Sequence, residues 1–258
     1  MKTRIISGLV MLPLLAVVYF GGPVLMIACI LVGMVGIKEF YSGFRALGIR
    51  PSYTIALVAL AALYLINILK LPAEMYMIWF FGVVLFSLLY LFNVDTRDLE
   101  DGMATITGIF YVIFFSYHVV LVDQSAYPIL IWLVFLSAFG TDIMAYFSGY
   151  FFGKHKLCPK ISPKKTIEGS IGGTLGSIAL CAGFAAWLVP DLLIHCAILG
   201  LLGGIVSQFG DLTASVFKRK MGIKDYGNLI PGHGGILDRF DSVLFTAPMV
   251  YYYIVTVL

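Results

Sequence analysis

Apolar residues fall along this chain in long runs that have no polar face, separated by short polar stretches. A helix needs about 20 mostly apolar residues to cross the hydrocarbon core of a bilayer, with about 17 to 25 the usual range. About nine runs qualify. They lie at residues 5–21, 23–37, 53–69, 75–93, 103–122, 128–152, 169–189, 192–210 and 242–258, the second short and the sixth long. Membrane-spanning strands would alternate apolar and polar positions, which these runs do not. The expected fold is all-α, a polytopic integral membrane protein forming one membrane domain over 1–258. Within it, 1–127 carries helices without a recognisable motif, and 128–258 carries the segments where chemistry is expected. Met1-Lys2-Thr3-Arg4 before an apolar run resembles the start of a signal peptide. No small-residue cleavage site follows and Gly21-Gly22-Pro23 leads into the next run, so the first run reads as a retained helix.

Composition supports the same solvent. The chain is 60% hydrophobic and 12% charged, whereas a soluble domain carries about 25% charged residues. The charges are bunched. With the N-terminus cytoplasmic and the C-terminus on the opposite side, every Lys and Arg falls on the inner side except Lys70. A wrong span count would scatter these clusters across both sides. This bias accounts for the net charge of +3, so no nucleic-acid partner is expected. Cys29, Cys158, Cys181 and Cys196 form no C-x-x-C pair and read as small packing residues. His118 and His195, each inside an apolar run, read as packed and hydrogen-bonded side chains. Lys38 to Arg45 reads as an interfacial anchoring belt, and the acidic stretch 95–101 as a solvated loop.

Residues 140–173 and 204–241 concentrate Gly, Pro, Lys and Asp in a chain otherwise poor in them. Asp142 stands in or near a span, where a carboxylate is expensive: it is either a site residue or the partner of a Lys or Tyr. Gly149 and Gly153-Lys154 have the wrong spacing for a phosphate-binding P-loop and lack its hydroxyl. Ser162-Pro163-Lys164-Lys165-Thr166 offers two cations and two hydroxyls ahead of a helix, a combination suited to phosphate and equally to anionic headgroups. Gly169, Gly172, Gly173 and Gly176, with Gly200 and Gly204, have the spacing of close helix packing.

The second segment is more specific. Asp211, placed near the end of the eighth run, requires a nearby cation. Asp238 and Asp241 stand three apart at the entry to the last run, where continuous helix would put them on one face. Like charges so close call for a cation between them, and an oxygen-only donor set points to a hard ion, Mg²⁺ above all. Lys218, Arg219, Lys220 and Lys224 supply the opposite charge. Pro231-Gly232-His233-Gly234-Gly235 offers a close-approach backbone, with His233 either a proton handler or a turn former. Carboxylates and cations together suit metal-bridged phosphates and displacement at phosphorus.

The run from Ser215 to Asp241 resembles the signature of the phosphatidate cytidylyltransferase family, the CDP-diacylglycerol synthases. Ser215, Lys218 and Arg219 match its opening; Lys224-Asp225, His233-Gly234-Gly235 and Asp238-Arg239-x-Asp241 match the rest. Ser162 to Gly169 and Gly210-Asp211 also resemble the family. The resemblance implies cytidylyl transfer from CTP to phosphatidate in a bacterial-type cytoplasmic membrane, with the active site facing the cytoplasm and pyrophosphate released. It implies Mg²⁺ at Asp211, Asp238 and Asp241, with a second, monovalent cation possible in the family. Catalytic roles are expected for Lys218, Arg219, Lys224, Asp225, His233 and Arg239, and substrate phosphate binding for Ser215, Lys164, Lys165, Gly234 and Gly235. The partners implied are CTP, phosphatidate and membrane lipid, and a homodimer. A CTP-dependent lipid kinase and a membrane transporter are the competing readings. The full-length signature argues against the first, and the absence of two related halves with interrupted helices argues against the second.

Overall fold

A computed structural model describes residues 15–229, 232 and 234–258. Most of the first expected span, 5–21, and His233 therefore lie outside the described residues. The helices are α1 (Gly22–Arg45), α2 (Tyr53–Ile68), α3 (Glu74–Leu89), α4 (Leu99–Asp123), α5 (Ile131–Phe152), α6 (Ile167–Leu188), α7 (Leu193–Lys220), α8 (Leu237–Phe240) and α9 (Val243–Val257). Among the described residues, six helical stretches are long and apolar enough to cross a membrane, and α2 and α9 are shorter apolar helices. The segment Glu74–Phe92 has only 17% of its most apolar window buried by protein, and Trp187, Phe92 and Met77 are each at least 74% exposed. Apolar surface on that scale belongs against lipid. The chain is an all-α integral membrane protein in its helical core.

Contacts divide it into two compact units. One contains Pro23–Tyr117 and Lys220–Arg239. Its interior is built on Ile37, Phe40 and Tyr41 of α1, Leu63 of α2 and Ile109, Ile113 and Tyr117 of α4, all fully buried. Trp79 stacks on Phe114 and meets Phe110 edge-on, while its Nε1 donates to Ala59 O at 2.7 Å. Helix α4 widens to π-helix over Ile109–Phe114. Helix α1 is 24 residues long rather than a short span followed by a belt. Glu39, Phe40 and Tyr41 face the core, so its last turns are a packing surface.

The other unit contains Val18–Gly22, His118–Arg219 and Phe240–Leu258. Helices α5 and α6 meet along glycines: a Cβ on Gly173 would stand 2.9 Å from Thr141 O. Helices α6 and α7 meet similarly, a Cβ on Gly200 standing 2.8 Å from Ser177 O. Thr246 Oγ1 of α9 donates to Val134 O of α5 at 3.0 Å. The expected packing glycines thus sit at helix contacts. Cys181 and Cys196 are buried free thiols, His118 is 1% exposed against Tyr251 and Tyr252, and His195 Nδ1 is 3.0 Å from Tyr253 Oη.

Three local features depart from expectation. Residues 156–158 and 162–166 form a two-stranded antiparallel hairpin, β1 (Lys156–Cys158) and β2 (Ser162–Thr166), pairing Lys156 with Thr166 and Cys158 with Ser162. Helix α7 continues to Lys220, so Asp211 lies well inside it. Asp238 belongs to the four-residue α8, whereas Asp241 occupies the turn before α9. The two carboxylates are not on one continuous helix.

Candidate active site

In the second unit, the two segments singled out by composition converge. A cavity of about 570 Å³ is lined by Asp142 and Tyr146 of α5, Lys164 and Lys165 of β2, and Gln208 and Asp211 of α7. The hairpin exists because residues 154–166 must return the chain from α5 to α6. Thr166 caps α6 by accepting from Gly169 N at 3.1 Å, and the Glu168 carboxylate accepts from the backbone N–H groups of Lys154 and His155. Both lysines are thereby carried to the cavity wall on a short, fastened strand. Lys165 Nζ is ion-paired with Asp211 Oδ2. The expected cation beside Asp211 is present, but the reason differs: a carboxylate inside an apolar helix needs a counter-charge wherever the helix ends.

Helical periodicity sets Asp211, Ser215 and Lys218 on neighbouring positions of one α7 face. Ser215 Oγ reaches Asp211 Oδ1 at 3.4 Å. Gly210 gives the adjoining turn room to approach, since a Cβ there would stand 2.7 Å from Asp241 O. Asp241 is 8% exposed, and Ser242 N donates to its Oδ1 at 2.8 Å. Burial, then the charge of Asp211, pushes its carboxyl up to about 8; Lys218 opposes that rise and Asp142 adds to it. Arg219 is exposed, with Nε 3.4 Å from Ile161 O of the hairpin turn.

No group of three or more His, Cys, Asp or Glu side chains forms a ready metal cage among the described residues. Mg²⁺ is nevertheless usually held by one or two carboxylates together with substrate phosphates. Asp211 and Asp241 offer such a pair: burial first, then repulsion from Asp211, lifts the Asp241 carboxyl, and a hard cation would relieve that repulsion. The donor chemistry fits Mg²⁺ as a pair.

In the first unit, the signature loop after Lys220 is bound down by two carboxylates. Asp238 Oδ2 accepts from Tyr226 N at 2.8 Å and from Gly235 N at 2.9 Å. Gly234 supports this turn at φ +84, and a Cβ on it would stand 2.7 Å from Asp238 Oδ2. Glu39 of α1 provides the second anchor. Its Oε1 accepts from Ile236 N at 3.0 Å and its Oε2 from Leu237 N at 2.9 Å. Gly227 and Gly235 face the same carboxylate with no room for a Cβ. Tyr226 packs on Phe40, their ring centroids 5.9 Å apart. Gly234 and Gly235 are thus placed against the protein's own carboxylates. Lys224 and Asp225 are exposed on the loop. Arg239 Nε is buried without a hydrogen-bond partner among the described residues.

Glu39 escapes sequence reading because its partners are backbone N–H groups 197 and 198 residues away. The available signal was a lone carboxylate between Lys38 and Phe40 at the end of a span, where an ionisable group is costly. Asp101 was also misplaced: it is 3% exposed rather than solvated, accepting from Arg50 N at 2.6 Å.

A sequence model described as the cytidylyltransferase family matches residues 2–257. The chain belongs to the cytidylyltransferase family. Among its relatives, a phosphatidate cytidylyltransferase of Synechocystis sp. is 36% identical over 286 residues, covering 99% of this chain and 97% of the relative. A phosphatidate cytidylyltransferase of Staphylococcus epidermidis is 34% identical over 259 residues, covering 96% and 95%. Family membership spans both units, so Glu39 lies within the matched cytidylyltransferase sequence as fully as the signature does.

Proposed function

We propose that the chain transfers the cytidylyl group of CTP to phosphatidate, forming CDP-diacylglycerol and releasing pyrophosphate. The observation that carries this reading is the near full-length likeness to proteins named phosphatidate cytidylyltransferase. The cavity between β2 and α7 supports it chemically, with lysines for phosphate facing carboxylates suited to a hard cation.

A phosphatidate phosphate oxygen attacks the α-phosphorus of CTP as the bond to the β-phosphate oxygen breaks, and pyrophosphate leaves with that bonding pair. The attacking oxygen is already anionic, so a protein nucleophile is unnecessary and a general base contributes little. Catalysis is then positioning and charge neutralisation. Lys164 and Lys165 neutralise phosphate oxygens, Lys165 exchanging its bond to Asp211 for one to substrate. Ser215 and Lys218 line the same face of α7. Asp211 and Asp241 would hold Mg²⁺, which when bound supplies Lewis-acid neutralisation of the phosphates. Asp238 holds the signature loop in shape.

The experiment is pyrophosphate release by purified protein in mixed micelles with CTP and phosphatidate, with and without Mg²⁺. The expected result is metal-dependent release that requires both substrates, with cytidine label recovered in the lipid. Release of CDP with the lipid phosphorylated would replace this reading with a kinase.

The topology belongs to the same proposal: nine spans, N-terminus inside, and the cavity open to the cytoplasm across a bacterial inner membrane. In a Cys158→Ser background, a cysteine introduced in place of Lys160 should react with a membrane-impermeant maleimide only after cells are opened. Labelling on intact cells would reverse the orientation.

A further inference from the structure

The first unit contains a second basic cavity, remote in sequence from the signature. It encloses about 660 Å³ and is lined by Arg45 from the end of α1, Arg50 from the α1–α2 connection, and Tyr90 and Arg97 from the segment after α3, with Tyr53 opening α2. The sequence places Arg45 and Arg50 on one inner segment and Arg97 on another, where they read as topology determinants. The fold brings all three to one wall.

Two of the guanidiniums are held by rings. Arg45 Cζ lies 4.9 Å from the Tyr53 ring centroid and Arg97 Cζ 4.4 Å from that of Tyr90, arrangements that fix a cation without neutralising it. The backbone around Arg50 is fixed from both sides: its N–H donates to Asp101 Oδ1 at 2.6 Å, and its carbonyl accepts from Tyr90 Oη at 3.2 Å. Charge in the cavity is unbalanced. Among the described residues the one carboxylate within ion-pair reach is Asp101, whose Oδ2 is 3.9 Å from Arg97 Nη1 and also accepts from Asp98 N. No carboxylate of the same acidic stretch, Asp101 included, lines the cavity. Three cations line it, and the carboxylate beside Arg97 is already engaged with two backbone N–H groups.

The flanks are apolar. Leu47, Phe92 and Val94, each within three positions of a lining residue, are 48%, 78% and 79% exposed. A soluble phosphate would use the arginines and leave these side chains in water. An anionic lipid would use both, with its phosphate on the guanidiniums and its acyl chains along the apolar flank.

We infer that the cavity of Arg45, Arg50 and Arg97 binds the phosphate headgroup of an anionic phospholipid, at a site separate from the one that carries out transfer. The same end of α1 carries Glu39, which holds Ile236 and Leu237, and Gly43, which packs against Met221 and Ile223. A lipid on Arg45 therefore occupies the helix that shapes the signature loop.

The test uses the full chain in neutral phosphatidylcholine micelles with labelled phosphatidylglycerol, whose phosphodiester is not an acceptor for cytidylyl transfer. Wild-type protein should retain the label, and an R50Q/R97Q variant with unchanged elution and melting should bind it about thirtyfold more weakly, as expected for two lost surface cations. The single variant Arg45→Gln, which removes no ion pair, should fall between them and decides the matter if the double variant fails to fold. Millimolar pyrophosphate should leave retention unchanged. Equal retention by wild type and variants overturns the site, as does equal competition by phosphatidylcholine. Displacement by pyrophosphate overturns the lipid assignment in favour of a soluble phosphate anion.

Discussion

Asp241→Asn should abolish transfer, lowering turnover by about 10³-fold, while the protein still purifies folded in detergent. The asymmetry follows from the surroundings of Asp241. Its carboxyl is buried and repelled by Asp211 and Asp142, with Lys218 in partial compensation, so a neutral amide of the same shape removes repulsion and loses only the capacity to hold a cation. Without metal the folded chain retains this proton up to about 8, against an ordinary value of 3.8. Between those values the folded state binds more protons than the unfolded state, so stability falls as pH rises through the window. Thermal unfolding in a chelating buffer from pH 5 to pH 8 should show that decline in the wild type and a shallower one in Asp241→Asn. Added Mg²⁺ should raise the wild-type midpoint at pH 8 and leave the variant unmoved. A variant that remains active at ordinary Mg²⁺ levels, or that melts with the wild-type pH slope, removes Asp241 from the metal site.

The apolar helices were legible because a bilayer tolerates few alternatives: about 20 apolar residues with no polar face have one stable backbone solution. Helix ends were not legible. Helix α1 continues through Lys38–Arg45 and α7 through Asp211–Lys220 because tertiary packing and side-chain pairing extend a helix beyond its apolar stretch. The Lys164-Lys165 pair and Asp211 were each readable as charged residues needing partners, but their meeting across β2 and α7 depends on a hairpin with no strong local pattern. Asp101 and Glu39 were hidden for a shared reason. Each satisfies backbone N–H groups of a distant loop, and a backbone donor leaves no mark in the sequence.

Glu39 is where that hidden part carries the greatest consequence. Removing its carboxylate leaves the Ile236 and Leu237 N–H groups unsatisfied in a site where Leu237 is 2% exposed, at about 1–3 kcal/mol for each buried donor. Glu39→Ala should therefore release the backbone around Ile236 and Leu237, speed amide exchange there, and reduce turnover by about 10²-fold or more through displacement of Asp238 and Arg239. Glu39→Gln keeps one acceptor oxygen but presents an amide N–H₂ to the other backbone donor, so it should recover only part of the loss. Gly235→Ala approaches the same fault from the other side, because its Cβ would collide with the Glu39 carboxylate. If the loop merely rested on α1, Glu39→Ala would exchange and turn over like the wild type. Faster exchange confined to this loop, with α2 to α4 still protected, would show that a residue in the motif-free half of the chain sets the shape of its signature.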